Sequence, residues 1–330
     1  MNIQISNKRK TKVLQKISRR PNVYMDYAAT TPVDDRVINA MLPYFNKIFA
    51  NPSSLHSPGQ AALAAVRDSR QKIAASLNAH EDEIVFTSGG TSSDNLAIYG
   101  VLDGARAKLK SMATEDAIPH VVTSAIEHDA VLEPLLFLEK AGIINLTVVK
   151  PQIDGIVRTQ DIVQAIKSDT VLVSIMYANN EIGTIQPIPE IGREILKWRK
   201  NQNTIFPYFH SDACQAAGYF DLNVEKLHTD LLTLNGGKIY GPKGIGILFV
   251  RRGVLIKPMI RGGGQERGLR SGTENVPAIV GLAKALELAQ ADQERETARL
   301  TVLRDRLIDG LLKIPKTRLN GDAKKRLPQV

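Results

Sequence analysis

From Glu83 onward, short runs rich in Val, Ile and Leu alternate with stretches whose apolar residues recur every three or four positions. Apolar runs of four to seven residues read as buried strands, and the 3.6-residue spacing reads as amphipathic helix. Strands are expected at Ile84 to Thr87, His120 to Ser124, Ile144 to Val149, Val171 to Tyr177, Ile205 to Ser211, Leu231 to Leu234 and Ile245 to Val250. Helices are expected at Asp94 to Leu102, Ala130 to Lys140, Asp161 to Lys167 and Ile188 to Lys200. Such alternation predicts an α/β fold, with a mostly parallel seven-stranded sheet covered by helices on both faces. After Val276 the pattern becomes one long helical segment, roughly Pro277 to Lys313, that leads into a smaller second domain. The last residues, Arg326 to Val330, read as the approach to a strand. That domain is therefore expected to be incomplete, with the apolar face of its helix left uncovered.

Composition narrows the function classes. No apolar run approaches the roughly 18 residues of a membrane span, and no secretory signal pattern is present, so a cytoplasmic protein is expected. Cys214 is the single cysteine of the 330 residues, which removes a disulfide framework or a cysteine-built metal site within one chain. The net charge of +9 resides largely in Lys8, Arg9, Lys10, Lys12, Lys16, Arg19 and Arg20, with no acid before Pro21. Residues 1–21 thus read as a solvated basic extension, and no nucleic-acid partner is expected.

Chemistry gathers at predicted strand ends. Thr87-Ser88-Gly89-Gly90-Thr91 joins a strand to a helix, where bare backbone N–H groups and the helix dipole favour an anion such as phosphate. The spacing matches neither G-x-G-x-x-G nor G-x-x-x-x-G-K-[ST], which disfavours a nucleotide site. Asn235-Gly236-Gly237-Lys238 follows an apolar strand, and a partly desolvated lysine there can form a Schiff base, although a surface lysine on a glycine turn has the same look. Asp212 ends another strand; it could neutralise a protonated pyridine nitrogen or simply cap a helix. His128 leaves a third strand, where imidazole can stack on a ring and move protons near neutral pH. The other histidines show no metal-ligand spacing, and no metal site is expected.

Six segments together carry a resemblance. They are Tyr24 to Pro32, Asn51 to His56, Thr87 to Thr91, Asn179 to Thr184, Lys238 to Gly244, and Gly262 to Glu266 with Arg270 to Asn275. In register from about Val23 to Ala285, they resemble cysteine desulfurases of the NifS/IscS group, which are class V aminotransferase-like, fold-type I enzymes dependent on pyridoxal 5'-phosphate. The resemblance implies a homodimer that takes sulfur from L-cysteine, yields L-alanine and an enzyme persulfide, and passes sulfur to an acceptor protein for iron–sulfur assembly or tRNA thiolation. It implies that Lys238 holds the cofactor, Asp212 pairs with the ring nitrogen, and His128 stacks on the ring and assists proton transfer. Asn180 and Gln215 would contact ring substituents. Gly90, Thr91, Asn235 and Gly237 would hold the phosphate, with Thr273 reaching in from the other subunit. It also implies a large cofactor domain over 22–264, with residues 22–35 packing toward the small domain, and a connecting helix plus small domain over 265–330.

Two departures bear on the site. The turn before the lysine is commonly Ser-x-His in the family and is Asn235-Gly236-Gly237 here; Asn can still donate and Gly237 can offer its N–H. The position after Thr91, commonly Glu, is Ser92. The family's nucleophilic cysteine and its carboxylate-binding arginine fall beyond Val330, so the chain is expected to be a truncated or split member. Cys214 lies between Asp212 and Gln215, and a small buried role is expected for it. The alternatives are a related transaminase or lyase that needs no cysteine, and an inactive scaffold that binds sulfur-transfer partners.

Overall fold

The computed structural model describes residues 23–112 and 118–330; the basic extension expected over residues 1–21 lies outside them. In chain order the elements are α1 (Asp35–Met41), α2 (Pro43–Asn46), α3 (Ser57–Leu77), β1 (Ile84–Thr87), α4 (Gly90–Met112), β2 (His120–Ser124), α5 (Asp129–Lys140), β3 (Asn145–Val149) and α6 (Thr159–Ala165). They continue with β4 (Thr170–Ser174), α7 (Ile188–Gln202), β5 (Tyr208–Asp212), α8 (Val224–Leu227), β6 (Leu231–Asn235), β7 (Gly246–Val250), α9 (Val276–Ala291) and α10 (Gln293–Leu311).

All seven strands form one sheet, ordered β1-β7-β6-β5-β4-β2-β3. Strands β6, β5, β4, β2 and β3 run parallel, while β7 is antiparallel to both β6 and β1. Two reversals return β1 to the direction of β6, so the chain leaves β1, β2, β5 and β6 at the same edge. Every residue of β1, β2, β4, β5 and β7 is buried, as a sheet covered on both faces requires. Period-2 alternation divides them between two cores. Val85, Val121, Leu172, Tyr208, Leu231 and Leu248 point toward α4 and α5, joining Ile98, Val101 and Leu135. Phe86, Val122, Val173, Phe209, Leu232 and Phe249 point the other way, joining Ile73 and Leu77 of α3, Ile191 and Ile195 of α7, and Ile279 and Leu282 of α9.

Local chemistry sets the helix ends. Asp34 accepts the N–H of Arg36 at 2.8 Å to open α1, and His128 Nδ1 accepts that of Ala130 at 3.0 Å to open α5. Asn78 and Asn203, at φ 53° and 49°, close α3 and α7 in the left-handed conformation that Asn tolerates. The expected helix from Asp94 begins four residues earlier, at Gly90, because the Gly-rich turn itself is the first turn of α4. The single segment expected after Val276 breaks at Asp292 into α9, which packs on the body, and α10, which has no buried residue. Val302, Leu303, Leu307 and Leu311 of α10 are exposed, as its uncovered apolar face predicted. At the chain end there is no strand. Arg326 makes one isolated bridge to Thr184, and Leu327 N–H donates to the carbonyl of Gly183 at 2.7 Å.

Close approach at the functional edge rests on Gly246. A side chain there would meet the carbonyl carbon of Gly89 and the carbonyl oxygen of Leu234 at 2.7 Å, so glycine lets the β1–α4 turn lie against the end of β6. The loop from Gly262 to Asn275 is held by a buried ion pair. Arg70 Nη1 and Nη2 donate to the two carboxylate oxygens of Glu266 at 2.9 and 2.7 Å, and Phe86 N–H donates to the same group at 2.9 Å. Glu266 and Arg267 both have positive φ, 50° and 57°, a cost that this pairing offsets. Glu266→Ala leaves the Arg70 guanidinium, whose side chain is 12% exposed, without its partner. We expect a loss of about 3 kcal/mol, measured by the urea midpoint at unchanged m.

Candidate active site

The sheet edge where β1, β2, β5 and β6 end opens into a cavity of about 690 Å³. Its size suits a small cofactor with substrate. Lys238 stands on a single 3-10 turn, Gly236–Lys238, directly after β6, and Asn235 Oδ1 accepts the N–H of Gly237 at 3.2 Å to shape that turn. Lys238 Nζ donates to the carbonyls of Ala28 and Ala29 at 2.8 and 2.7 Å. The N-terminal segment is thus laid over the lysine turn; Thr31 N–H donates to the carbonyl of Gly237 at 3.0 Å, and Tyr240 N–H donates to Thr31 Oγ1 at 2.8 Å. Gln215 Nε2 donates to the same Ala28 carbonyl at 2.9 Å, which ties the β5 end to this arrangement.

Asp212 is the last residue of β5 and faces the cavity while only 7% exposed. Its Oδ1 accepts the N–H of Cys214 at 2.8 Å, which turns the chain sharply after the strand. His128 lines the wall, and because its Nδ1 accepts a backbone N–H, the neutral ring carries its proton on Nε2. Asn180 lines the same wall. Its neighbour Asn179 is structural, with Oδ1 accepting the N–H groups of Glu181 and Ile182 at 2.9 and 2.8 Å. Gly90 and Thr91 bring the first turn of α4 to the other end. A Cβ at Gly90 would meet Cys214 Sγ at 2.9 Å, so only glycine leaves the backbone bare there. A 23-residue helix that begins with uncovered N–H groups is an anion cradle.

Nine of the ten residues expected at the site therefore line one cavity: Gly90, Thr91, His128, Asn180, Asp212, Gln215, Asn235, Gly237 and Lys238. Thr273 does not line it; it is exposed on the 262–275 loop. That loop also carries Arg270 to the wall, where Nη2 donates to Ser88 Oγ at 2.7 Å and Nε is buried without a partner. Arg270, Lys243 and Asp94 are cavity residues that sequence reasoning missed. Asp94 had a legible signal: three residues before Ala97 and seven before Val101, it shares the buried face of α4. Cys214 is buried as expected, and burial together with Asp212 and Asp94 raises its thiol pKa well above the ordinary value. Among the described residues no cluster could hold a metal ion, and no helix is long and apolar enough to cross a membrane.

The donor set fits a phosphate-bearing aromatic aldehyde: a bare helix start with a half-buried arginine at one end, a lysine amine on the wall, and a carboxylate at a strand end. Residues 23–330 match the family described as Aminotransferase class-V. The chain is 51% identical over 305 residues to cysteine desulfurase IscS of Methanosarcina thermophila, covering 92% of this chain and 71% of that relative. It is 46% identical to cysteine desulfurase IscS of Dictyoglomus turgidum, covering 93% and 74%. Among solved structures, a NifS-like protein superposes with a TM-score of 0.85 at 38% identity, covering 93% of this chain and 80% of the other. SspA in complex with cysteine superposes at 0.73 with 41% identity, covering 81% and 72%.

Behind His128, Glu127 is buried, with Oε1 accepting the Met176 N–H at 3.0 Å and the Ser124 hydroxyl, while Oε2 has no partner. Burial raises its pKa from 4.5 to about 8. Below pH 4.5 both folded and unfolded chains hold this proton. Between 4.5 and about 8 only the unfolded chain releases it, so stability falls as pH rises, and above about 8 the penalty levels off. Glu127→Gln, which keeps the accepting oxygen, removes that penalty. Its thermal midpoint should match the unchanged protein at low pH and exceed it increasingly toward pH 8.

Proposed function

This chain belongs to the aminotransferase class-V family, and from that premise we propose that it is a pyridoxal 5'-phosphate-dependent cysteine desulfurase body, acting on L-cysteine in the cavity at the sheet edge. The observation that carries this reading is that Lys238 Nζ and the Asp212 carboxylate face one cavity whose other end is the glycine start of α4. The cofactor, when bound, supplies a carbonyl that joins to amines and a ring that accepts electron density.

The residues divide the work by position. The N–H groups of Gly90 and Thr91, with the Asn235 to Gly237 turn, hold the phosphate through hydrogen bonds and the helix dipole. Arg270, already fixed to Ser88, adds positive charge at that end. Lys238 Nζ is the anchoring amine; the carbonyls of Ala28 and Ala29 now occupy its hydrogens and aim it. Asp212 supplies the negative charge that stabilises a protonated ring nitrogen. His128 holds its Nε2 proton toward the cavity, where it can stack on the ring and exchange a proton with substrate. Asn180 and Gln215 orient the ring by its polar substituents.

In the net reaction a thiol takes the substrate sulfur, so that cysteine plus thiol gives alanine plus persulfide. Cys214 is unsuited to that role, because it is buried and its thiol holds its proton. The accepting thiol on this reading lies outside these 330 residues. Thr273, exposed on a loop held by the Arg70–Glu266 pair and not among the residues that line its own cavity, supports a homodimer in which it reaches the partner's phosphate site. A sulfur-acceptor protein would take the persulfide onward.

The protein purified with pyridoxal phosphate should show a visible absorbance band that Lys238→Ala abolishes and that L-cysteine shifts. No sulfide should be released by this chain alone, and Cys214→Ser should leave the shift unchanged. Absence of the band in folded protein would refute the cofactor assignment. Sulfide release that Cys214→Ser removes would overturn the exclusion of that thiol.

A further inference from the structure

The cavity holds one acid that the proposed chemistry does not use. Asp94, four residues into α4 from its Gly90 start, is 1% exposed and lines the cavity wall. Its Oδ1 is buried with no hydrogen-bond partner. Among the described residues the only basic nitrogen within 4 Å is His210 Nε2, at 3.5 Å. That imidazole is fully buried on β5, with Ser174 Oγ 2.8 Å from Nδ1 and Thr233 Oγ1 3.0 Å from Nε2. Burial lowers its pKa to about 3, so it offers no positive charge.

The cations of the cavity wall are engaged elsewhere. Lys238 is on the carbonyls of Ala28 and Ala29, Lys243 on that of Thr31, and Arg270 on Ser88 Oγ. The remaining ionisable groups that face Asp94 are acidic: Asp212 at the end of β5, the Cys214 thiol after it, and Glu127 from the turn before α5. Two effects oppose neutrality: hydrogen bonding to the Thr233 side chain, and the start of α4, which favours an anion. Withdrawing a carboxylate without a cationic partner from water costs more than either effect returns, so desolvation wins. Burial and the neighbouring Asp212 both raise the Asp94 pKa well above the ordinary carboxylate value.

We infer that Asp94 is a positioning residue that acts through Asp212: it carries its own proton, so the pair holds one negative charge and that charge stays on Asp212, opposite the ring nitrogen. The inference rests on the cofactor reading above only for its last clause. If both acids were ionised, their repulsion would force one proton onto the pair and spread it over both carboxyls. The buried environment of Asp94 assigns the proton instead, leaving Asp212 free to accept the Cys214 N–H and to pair with the ring.

Infrared difference spectroscopy on the full chain, labelled with carboxyl-carbon-13 aspartate, separates this acid from Glu127. At neutral pH the unchanged protein should show the carbonyl stretch of a protonated aspartic acid, and Asp94→Asn should lack it. In Asp212→Asn, which removes the like charge, the Asp94 band should vanish at a pH lower by about 1 unit than in the unchanged protein. No protonated-aspartate band at neutral pH, a band that persists in Asp94→Asn, or an unmoved titration in Asp212→Asn would each overturn the inference. If Asp94→Asn does not fold, the titrations of the unchanged protein and Asp212→Asn still decide it. None of these readings requires cofactor, so their failure is distinct from loss of the lysine-dependent absorbance.

Discussion

The site depends on keeping one carboxylate charged at the end of a buried strand. Asp212 is 7% exposed, and a carboxyl so placed keeps its charge only if its surroundings stabilise it. The Cys214 N–H supplies one hydrogen bond, and the cavity places Lys238 on the same wall. Neighbouring acids must then stay neutral. Asp94 and Glu127 are both raised by burial, and His210 is stripped of its proton by the same cause. Burial thus decides which acids keep their protons, and the polar sheet edge confines the charge to the place where a cofactor ring would meet it.

Sheet topology makes that edge possible. Parallel strands deliver their carboxyl ends to one side, which gathers Asp212, Asn235 and the β2–α5 turn carrying His128. The anion cradle belongs to β1 at the far edge, and it reaches the same side because β7 reverses direction between β1 and β6. Gly246 then lets the cradle close to the end of β6. The N-terminal segment completes the arrangement by laying the Ala28 and Ala29 carbonyls over Lys238.

The strands were legible in the sequence because buried parallel strands are continuous β-branched runs, and β1 and β2 occupy the expected residues. Strands β4 and β5 slide by a residue or more: the apolar run at 171–177 continues past β4 into buried coil, and β5 begins only at Tyr208, after the exposed Ile205 and the Phe206-Pro207 pair. Helix α3 went unread although it supplies Ile73 and Leu77 to the core; its Ala-rich stripe between Ser and Gln positions has weak contrast. Lys238, Asp212 and His128 were legible because each ends an apolar run. The place of Asp94 on the buried face of α4 was legible too, but its acidic neighbours and the position of Arg270 depend on other elements, which sequence spacing does not encode. The break at Asp292 is likewise tertiary: α9 packs on the body and α10 does not.

The central claim is that Asp212 holds the negative charge which a cofactor ring nitrogen pairs with, and nitrogen NMR on pyridoxal phosphate labelled with nitrogen-15 in the ring tests it directly. Bound to the full chain at neutral pH, the ring nitrogen should be protonated, and Asp212→Asn should leave it unprotonated while Asp94→Asn leaves it protonated. A ring nitrogen that is unprotonated in the unchanged protein, or that keeps its proton in Asp212→Asn, would contradict the account.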